Sequence, residues 1–175
     1  MSDEPKMLAP REVANALGAM TTIVHAELMA LPNAAVAWHP APGEWCVKEA
    51  LGHMIEAERR GFAGRIRIIL ENDEPEFVAW DQTAVERARN DCARDLTELL
   101  DEFDRIRTES CDLVLSLTAD DLQCGGTHPH VGYLRVNDLL HEWLYHDRNH
   151  VRQMFATLQS YVFPNMGNCQ GFVGE

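Results

Sequence analysis

Residues 139–154 read LLHEWLYHDRNHVRQM. The stretch contains no Gly or Pro, and at about 100° per residue Leu139, Trp143, His146, His150 and Met154 fall within one arc about 80° wide. Two histidines one turn apart therefore sit inside an apolar helical stripe. A buried imidazole needs partners for its ring nitrogens, and two stacked on one face suit a shared metal ion. On these residues alone an ordinary pair of core or exposed histidines is the commoner explanation, so the surrounding chain has to decide.

Outward from this stretch, the helix extends over residues 136–162, with Asn137 and Asp138 suited to the positive end of its dipole. Residues 163–175 form a Gly- and Asn-rich tail, expected to be held by Phe172. Upstream, residues 118–135 (TADDLQCGGTHPHVGYLR) are a loop by virtue of Gly125, Gly126, Pro129 and Gly132. Before it, a long helix is expected over residues 84–117. Its buried face runs through Ala88, Cys92, Leu96, Leu99, Phe103, Ile106, Ser110, Leu113 and Leu117, and its other face, dense in Glu, Asp and Arg, reads as solvated.

Residues 71–83 are a connection interrupted by Pro75 and anchored by Trp80. A helix over residues 46–70 precedes it, with Val47, Leu51, Ile55, Phe62, Ile66 and Ile69 as its stripe. Cys46 occupies the N-cap position, where Ser is usual, and Glu49 completes a capping-box pattern. His53 points nearly opposite Leu51, on a flank with Ala50, Ala57, Arg60 and Gly64. Those small residues leave room for another helix, so His53 is either part of a polar outer face or aimed across a close contact.

Residues 32–45 are a loop pinned by Trp38 and Trp45, with His39 at the surface. Pro10 opens the first helix, striped by Val13, Leu17, Met20, Val24, Leu28 and Leu31 up to Pro32. His25 lies beside that stripe as a boundary residue, and residues 1–9 read as a loose tail. No internal repeat and no persistent strand alternation are present. The chain is thus expected to be all-α: one four-helix bundle over residues 10–162, with tails on either side.

The composition narrows the function. The 175 residues are 46% hydrophobic, as in globular chains, and carry a formal charge of −13. The 15 Lys and Arg residues are dispersed, which disfavours nucleic acid, whose binding depends on concentrated positive charge. No apolar run approaches the length of a membrane span, and the acidic N-terminus lacks a signal core. Five cysteines, an odd number without a CxxC spacing, read as reduced thiols. A cytoplasmic protein is expected.

A bundle builds sites from side chains on facing helices. His53 with His146 and His150 would supply three neutral imidazoles, a ligand set for Zn²⁺ or another first-row divalent ion with at least one open position. An open position favours catalysis over scaffolding, since the ion can acidify a bound water or polarise a carbonyl, and the position could also take a thiolate.

Three stretches resemble the DinB/YfiT-like superfamily. GEWCVKEALGHMIEAE is similar to its second-helix signature, Trp-Ser-Val/Ile-x-Glu-x-Leu-x-His. HEWLYHDRNHVRQM is similar to its closing His-Asp-x-x-His-x-x-Gln element, and THPHVGYLRVNDLL to its His-Pro-x-x-Gly approach to the last helix. The motifs occur in the family's order at its separations, and the likeness spans about residues 10–160.

The resemblance implies an up-down-down-up four-helix bundle, usually a homodimer, with a metal site at His53, His146 and His150. Characterised relatives include thiol-dependent S-transferases, a maleylpyruvate isomerase and metal-dependent hydrolases. A small-molecule substrate, a divalent ion (Zn, Ni, Fe or Mn) and a low-molecular-weight thiol are the corresponding expectations. A non-catalytic bundle with the ion as a lock is the alternative. The sequence departs from the pattern at Cys46, where Ser is usual, and at Arg135, where Thr is common. Asp147, Glu142 and Gln153 are candidates to orient ligands or face the pocket, or are plain helix surface. His128 is expected to pack its loop rather than serve the pocket. Arg60 would meet an anionic substrate or thiol, or pair with Glu56.

Overall fold

The computed structural model describes residues 6–173. Helix α1 (Pro10–Met29) starts at its proline, and Glu12 reaches back to accept from the Ala9 N–H at 2.8 Å. Val13, Leu17, Val24 and Leu28 are buried along one side, the face expected from their spacing. Of the expected N-terminal tail, residues 1–5 lie outside the described residues. Just before α1, the Leu8 N–H donates to His141 Nε2 at 3.0 Å, laying this segment on the last helix.

The following connection holds a short turn of helix, α2 (Asn33–Val36), which buries Ala35 and Val36. Trp38 meets Tyr161 edge-on at 5.7 Å, so the aromatic pins act as expected. Helix α3 (Val47–Glu56) begins with the anticipated cap, the Cys46 N–H donating to Glu49 Oε2 at 2.8 Å. It runs on without a break, but through a π-helical turn (Ala57–Phe62), into α4 (Ala63–Glu71). A Cβ on Gly64 would lie 2.2 Å from the Arg59 carbonyl oxygen, so the wide turn depends on glycine there.

The long helix expected over residues 84–117 is two helices, α5 (Gln82–Arg89) and α6 (Leu96–Ser116). Asn90 breaks it by adopting a left-handed conformation, φ 50°, and residues 91–93 make a 3₁₀ turn. Asn tolerates that region through local hydrogen bonding, which neither Gly nor Pro was needed to signal. Asp95 then caps α6 by accepting from the Thr97 and Glu98 N–H groups. Ala88, placed on the buried face by its spacing, is exposed.

The loop expected over residues 118–135 also departs from the sequence reading. It contains an antiparallel hairpin, β1 (Gly125–His128) and β2 (Gly132–Arg135), and Thr127 bonds to Pro75 and Phe77 of the 71–83 connection. Helix α7 (Val136–Val162) has the bounds read from the sequence. Beyond it a kinked 3₁₀ segment (Phe163–Phe172) follows, and Phe172 is 78% exposed, so it anchors nothing.

The long helices α1, α3–α4, α6 and α7 form the bundle, α1 and α3 each packing against both α6 and α7. No helix of the described residues is long and apolar enough to cross a membrane. The core has two apolar halves. One gathers Leu28, Leu51, Ile55, Leu99, Phe103 and Met154; the other gathers Leu17, Phe62, Ile66, Val114, Leu139 and Trp143.

Between them lies a buried ionic layer. Arg107 donates to Asp147 Oδ2 at 2.7 Å, to Glu58 Oε2 at 3.0 Å and to the Leu17 carbonyl at 3.1 Å. The charged face of the third helix is therefore not simply solvated, because Arg107 itself is buried. Arg89, Arg94, Asp91, Glu56 and Glu102 form a second network where α5 and α6 meet α3. Asp91 approaches α3 so closely that a Cβ on Gly52 would fall 1.8 Å from its Oδ2.

Candidate metal centre and its cleft

His53 comes from the last turn of α3 and His146 and His150 from successive turns of α7, and the pairing of these helices brings the three rings together. Donor nitrogens of all three lie within 4.8 Å of one another. His53 Nε2 and His146 Nε2 are 3.0 Å apart, and the ring centroids are separated by 4.4–5.1 Å. Burial, followed by the neighbouring His150 and His146, pushes the His53 imidazolium down to about 3. Burial and His146 also lower His150, against the opposing pull of Gln153 and Asp147. At neutral pH His53 and His150 are thus uncharged and keep a lone pair, as metal ligation requires.

The surroundings orient these lone pairs. His150 Nδ1 lies 2.9 Å from Gln153 Oε1, an acceptor, so the bond takes the Nδ1 proton and leaves Nε2 unprotonated. His146 Nδ1 is buried without a hydrogen-bond partner, 3.9 Å from Asp147 Oδ1. Three converging imidazoles, two of them kept neutral, and one unsatisfied buried nitrogen fit a divalent first-row ion.

A cleft of about 330 Å³ opens beside the cluster, lined by Gly61, Phe62, Arg65, Trp80, Gln82 and Glu142 besides the histidines. Trp45 lies 5.0 Å from His53 and Trp80 stacks on it at 6.2 Å, centroid to centroid. A larger depression of about 610 Å³ lies between α1 and α6, where His25 Nδ1 is 2.9 Å from Asp104 Oδ2, but it contains none of the three clustered histidines.

The π turn decides which cationic residue faces this cleft. On an uninterrupted α-helix Arg60 would lie within about 20° of His53 and Arg65 about 120° away. The extra residue in the turn sets everything after it back by one position. Gly61 and Arg65 then come onto the His53 side, while Arg60 donates to Glu56 Oε2 at 2.6 Å. Arg65 was invisible to a reading at constant pitch. Its guanidinium sits 5.6 Å from the Phe77 ring centroid, and burial lowers its pKa while Glu142 opposes that shift.

The other candidates divide. Gln153 holds His150 and Glu142 lines the cleft, whereas Asp147 turns inward to Arg107. His128 stands on the hairpin, its ring edge-on to His130 at 5.6 Å. His39 is exposed and bonds Glu49 at 2.9 Å. Trp45 and Trp80 entered the sequence reading as loop anchors and stand against the site as well.

The sequence model of the DinB superfamily matches residues 16–154. The chain is also similar to a solved structure, YfiT from Bacillus subtilis, a probable metal-dependent hydrolase with an unusual four-helix bundle topology. That match has a TM-score of 0.79 at 14% identity and covers 91% of this chain and 93% of the other, a likeness of fold. No curated protein matches the sequence. The match over residues 16–154 takes in most of the bundle and all three histidines, and the chain belongs to the DinB superfamily.

Proposed function

We propose that this member of the DinB superfamily is a metal-dependent enzyme acting on a small molecule, of hydrolytic or thiol-transfer type, with His53, His146 and His150 as ligands of its ion. The observation that carries this reading is the convergence of three imidazoles at the head of a cleft that stays open beside them. A fourth protein donor would close the shell in the manner of structural sites, whereas three leave a position free. A divalent ion held there supplies Lewis acidity, polarising a carbonyl and favouring deprotonation of a coordinated water or thiol.

The chain's own groups prepare the remainder. Trp45 and Trp80 lie against His53 and give its side of the cleft an apolar wall. Arg65 offers a cation for a carboxylate or phosphate of the substrate. Glu142, the carboxylate among the lining residues, would exchange a proton with a bound molecule.

The test is a screen of small esters and amides, and of common thiols with small electrophiles, on chelator-treated and reloaded protein. Turnover should vanish on chelation, return on reloading with Zn, Ni, Fe or Mn, and be absent in His53→Ala. Arg65→Ala should raise KM for anionic substrates about tenfold and change kcat less, since it removes a binding contact. Uptake that depends on His53 without turnover would instead favour the ion as a lock between α3 and α7. Absence of any uptake that depends on His53 would end the reading.

A further inference from the structure

We propose that Cys46, Cys92, His39 and Glu49 form a second metal site, a closed structural one for Zn²⁺ or a similar thiophilic divalent ion. One potential ligand atom from each of the four lies within 4.8 Å of all the others. Around zinc, with Zn–S near 2.3 Å and Zn–N and Zn–O near 2.0–2.2 Å, the edges of a tetrahedron are about 3.3–3.8 Å. Closing the present cluster onto an ion therefore takes shifts of about an ångström in side chains that already face one another.

Local structure explains why the four meet. Cys46 is the fully buried N-cap of α3, and Glu49 is its capping partner one turn on. His39 returns from the preceding loop, its Nε2 2.9 Å from Glu49 Oε2. Cys92 arrives on the 3₁₀ turn after Asn90, where its thiol lies 3.5 Å from the Ala37 carbonyl. The residue before it, Asp91, is buried in the arginine network against α3, which fixes that turn in place.

The site also accounts for a residue the bundle does not otherwise require. A cap at residue 46 needs only an acceptor and is ordinarily Ser, yet a thiol stands there opposite a second thiol. A disulfide would engage the two sulfurs alone, whereas two thiolates, an imidazole and a carboxylate make a complete shell for zinc. On binding, each Cys–S–H bond gives way to an S–metal bond and two protons pass to solvent, while His39 gives up the Nε2 proton it shares with Glu49 and takes one from solvent at Nδ1, which frees the Nε2 lone pair for the ion. With four protein donors no position remains for a substrate, so the role is to clip the 37–46 segment and the 91–93 turn to α3. Trp45 belongs to that segment and lies 5.0 Å from His53 and 6.1 Å from His150, so the clip would brace one wall of the histidine cleft.

Cobalt distinguishes the two sites, because thiolate–cobalt charge transfer in the near ultraviolet requires sulfur ligands and the histidine trio has none. Metal-free full-length protein titrated with Co²⁺ should take two equivalents, one of them with that absorption. Cys92→Ser should cut the band by half or more, since at most the Cys46 thiolate remains, and His39→Ala should weaken that equivalent by roughly tenfold or more. His53→Ala should keep the band and lose the other equivalent. Cys92 and His39 are not fully buried, so metal-free melting curves of their variants should overlay the parent, and zinc should raise the Tm of His53→Ala but not of His53→Ala/Cys92→Ser. The proposal is overturned if the parent shows no charge-transfer band or if the band keeps its full intensity in Cys92→Ser. A Cys46–Cys92 disulfide in protein isolated with its metal, without chelator or oxidant, would overturn it too.

Discussion

His146 and Asp147 are neighbours on α7 and belong to opposite kinds of polar site. Asp147 turns into the bundle and meets Arg107 at 2.7 Å, in a layer closed off from water. His146 turns the other way, into a cluster whose side is open to a cleft. In the ionic layer one guanidinium stands among two carboxylates and a carbonyl. Burial, helped by Asp147 and resisted by Arg107 and Ser110, raises the Glu58 pKa, which moves the layer toward neutrality. The histidine cluster has no such internal settlement: His53 and His146 face each other with like nitrogens, and His146 Nδ1 has no partner. The difference teaches that burial of a polar group is not itself a sign of function. The ionic layer too leaves Glu58 Oε1 and Ser110 Oγ without partners, so what sets the histidines apart is their convergence beside an open cleft.

The contrast can be broken most forcefully at Arg107. Arg107→Ala strands two buried carboxylates and should cost about 3–5 kcal/mol in thermal or denaturant unfolding. Replacing Arg107, Glu58 and Asp147 together by apolar residues of similar volume should restore much of that loss, since a buried ion network is often no more stable than a well-packed apolar one. The opposite pattern belongs to the histidine cluster. Gln153→Ala should weaken metal binding about 10–100-fold in a competitive chelator titration, with little change in metal-free stability.

A smaller effect sharpens the comparison through pH. In the fold His53 titrates at about 3 against an ordinary 6.5, so the unfolded chain binds the proton first as the solution is acidified. Metal-free stability should therefore be whole above pH 6.5 and decline as pH falls toward 3, and His53→Ala should flatten the upper part of that decline. Burial acts to raise Glu102, but hydrogen bonds from Arg89, Arg94 and Arg59 prevail and hold it at about 2 against an ordinary 4.5. Its contribution is present above pH 4.5 and is lost below it, a second step that His53→Ala should leave in place in pH-dependent melting.

The bundle and the histidine trio were legible because both rest on periodicity. Pro10, the capping pair at Cys46 and Glu49, and the bounds of α7 follow from short-range chemistry that a sequence states openly. The ionic layer was not legible, because Arg107 lies on a face whose other charges do meet water, and spacing cannot separate a buried arginine from a solvated one. Nor was the break at Asn90, where one residue changes hand without Gly or Pro. The hairpin escaped because four-residue strands are too short to show alternation, and half of β1 is glycine. Arg65 escaped for a different reason: its place depends on a change of helical pitch several residues upstream.

That change of pitch has an evolutionary consequence. A π turn is the trace a one-residue insertion leaves in a helix whose two ends must both keep their packing. The three histidines all lie outside the inserted segment, while the cleft residues Gly61, Phe62 and Arg65 lie within or just after it. Loss of a single codon between Ala57 and Phe62 would close the turn into ordinary α-helix with both ends still packed, changing the wall of the cleft at the turn and leaving the histidines where they stand. A change of one residue at this position can therefore reshape the wall of the cleft without moving His53, His146 or His150.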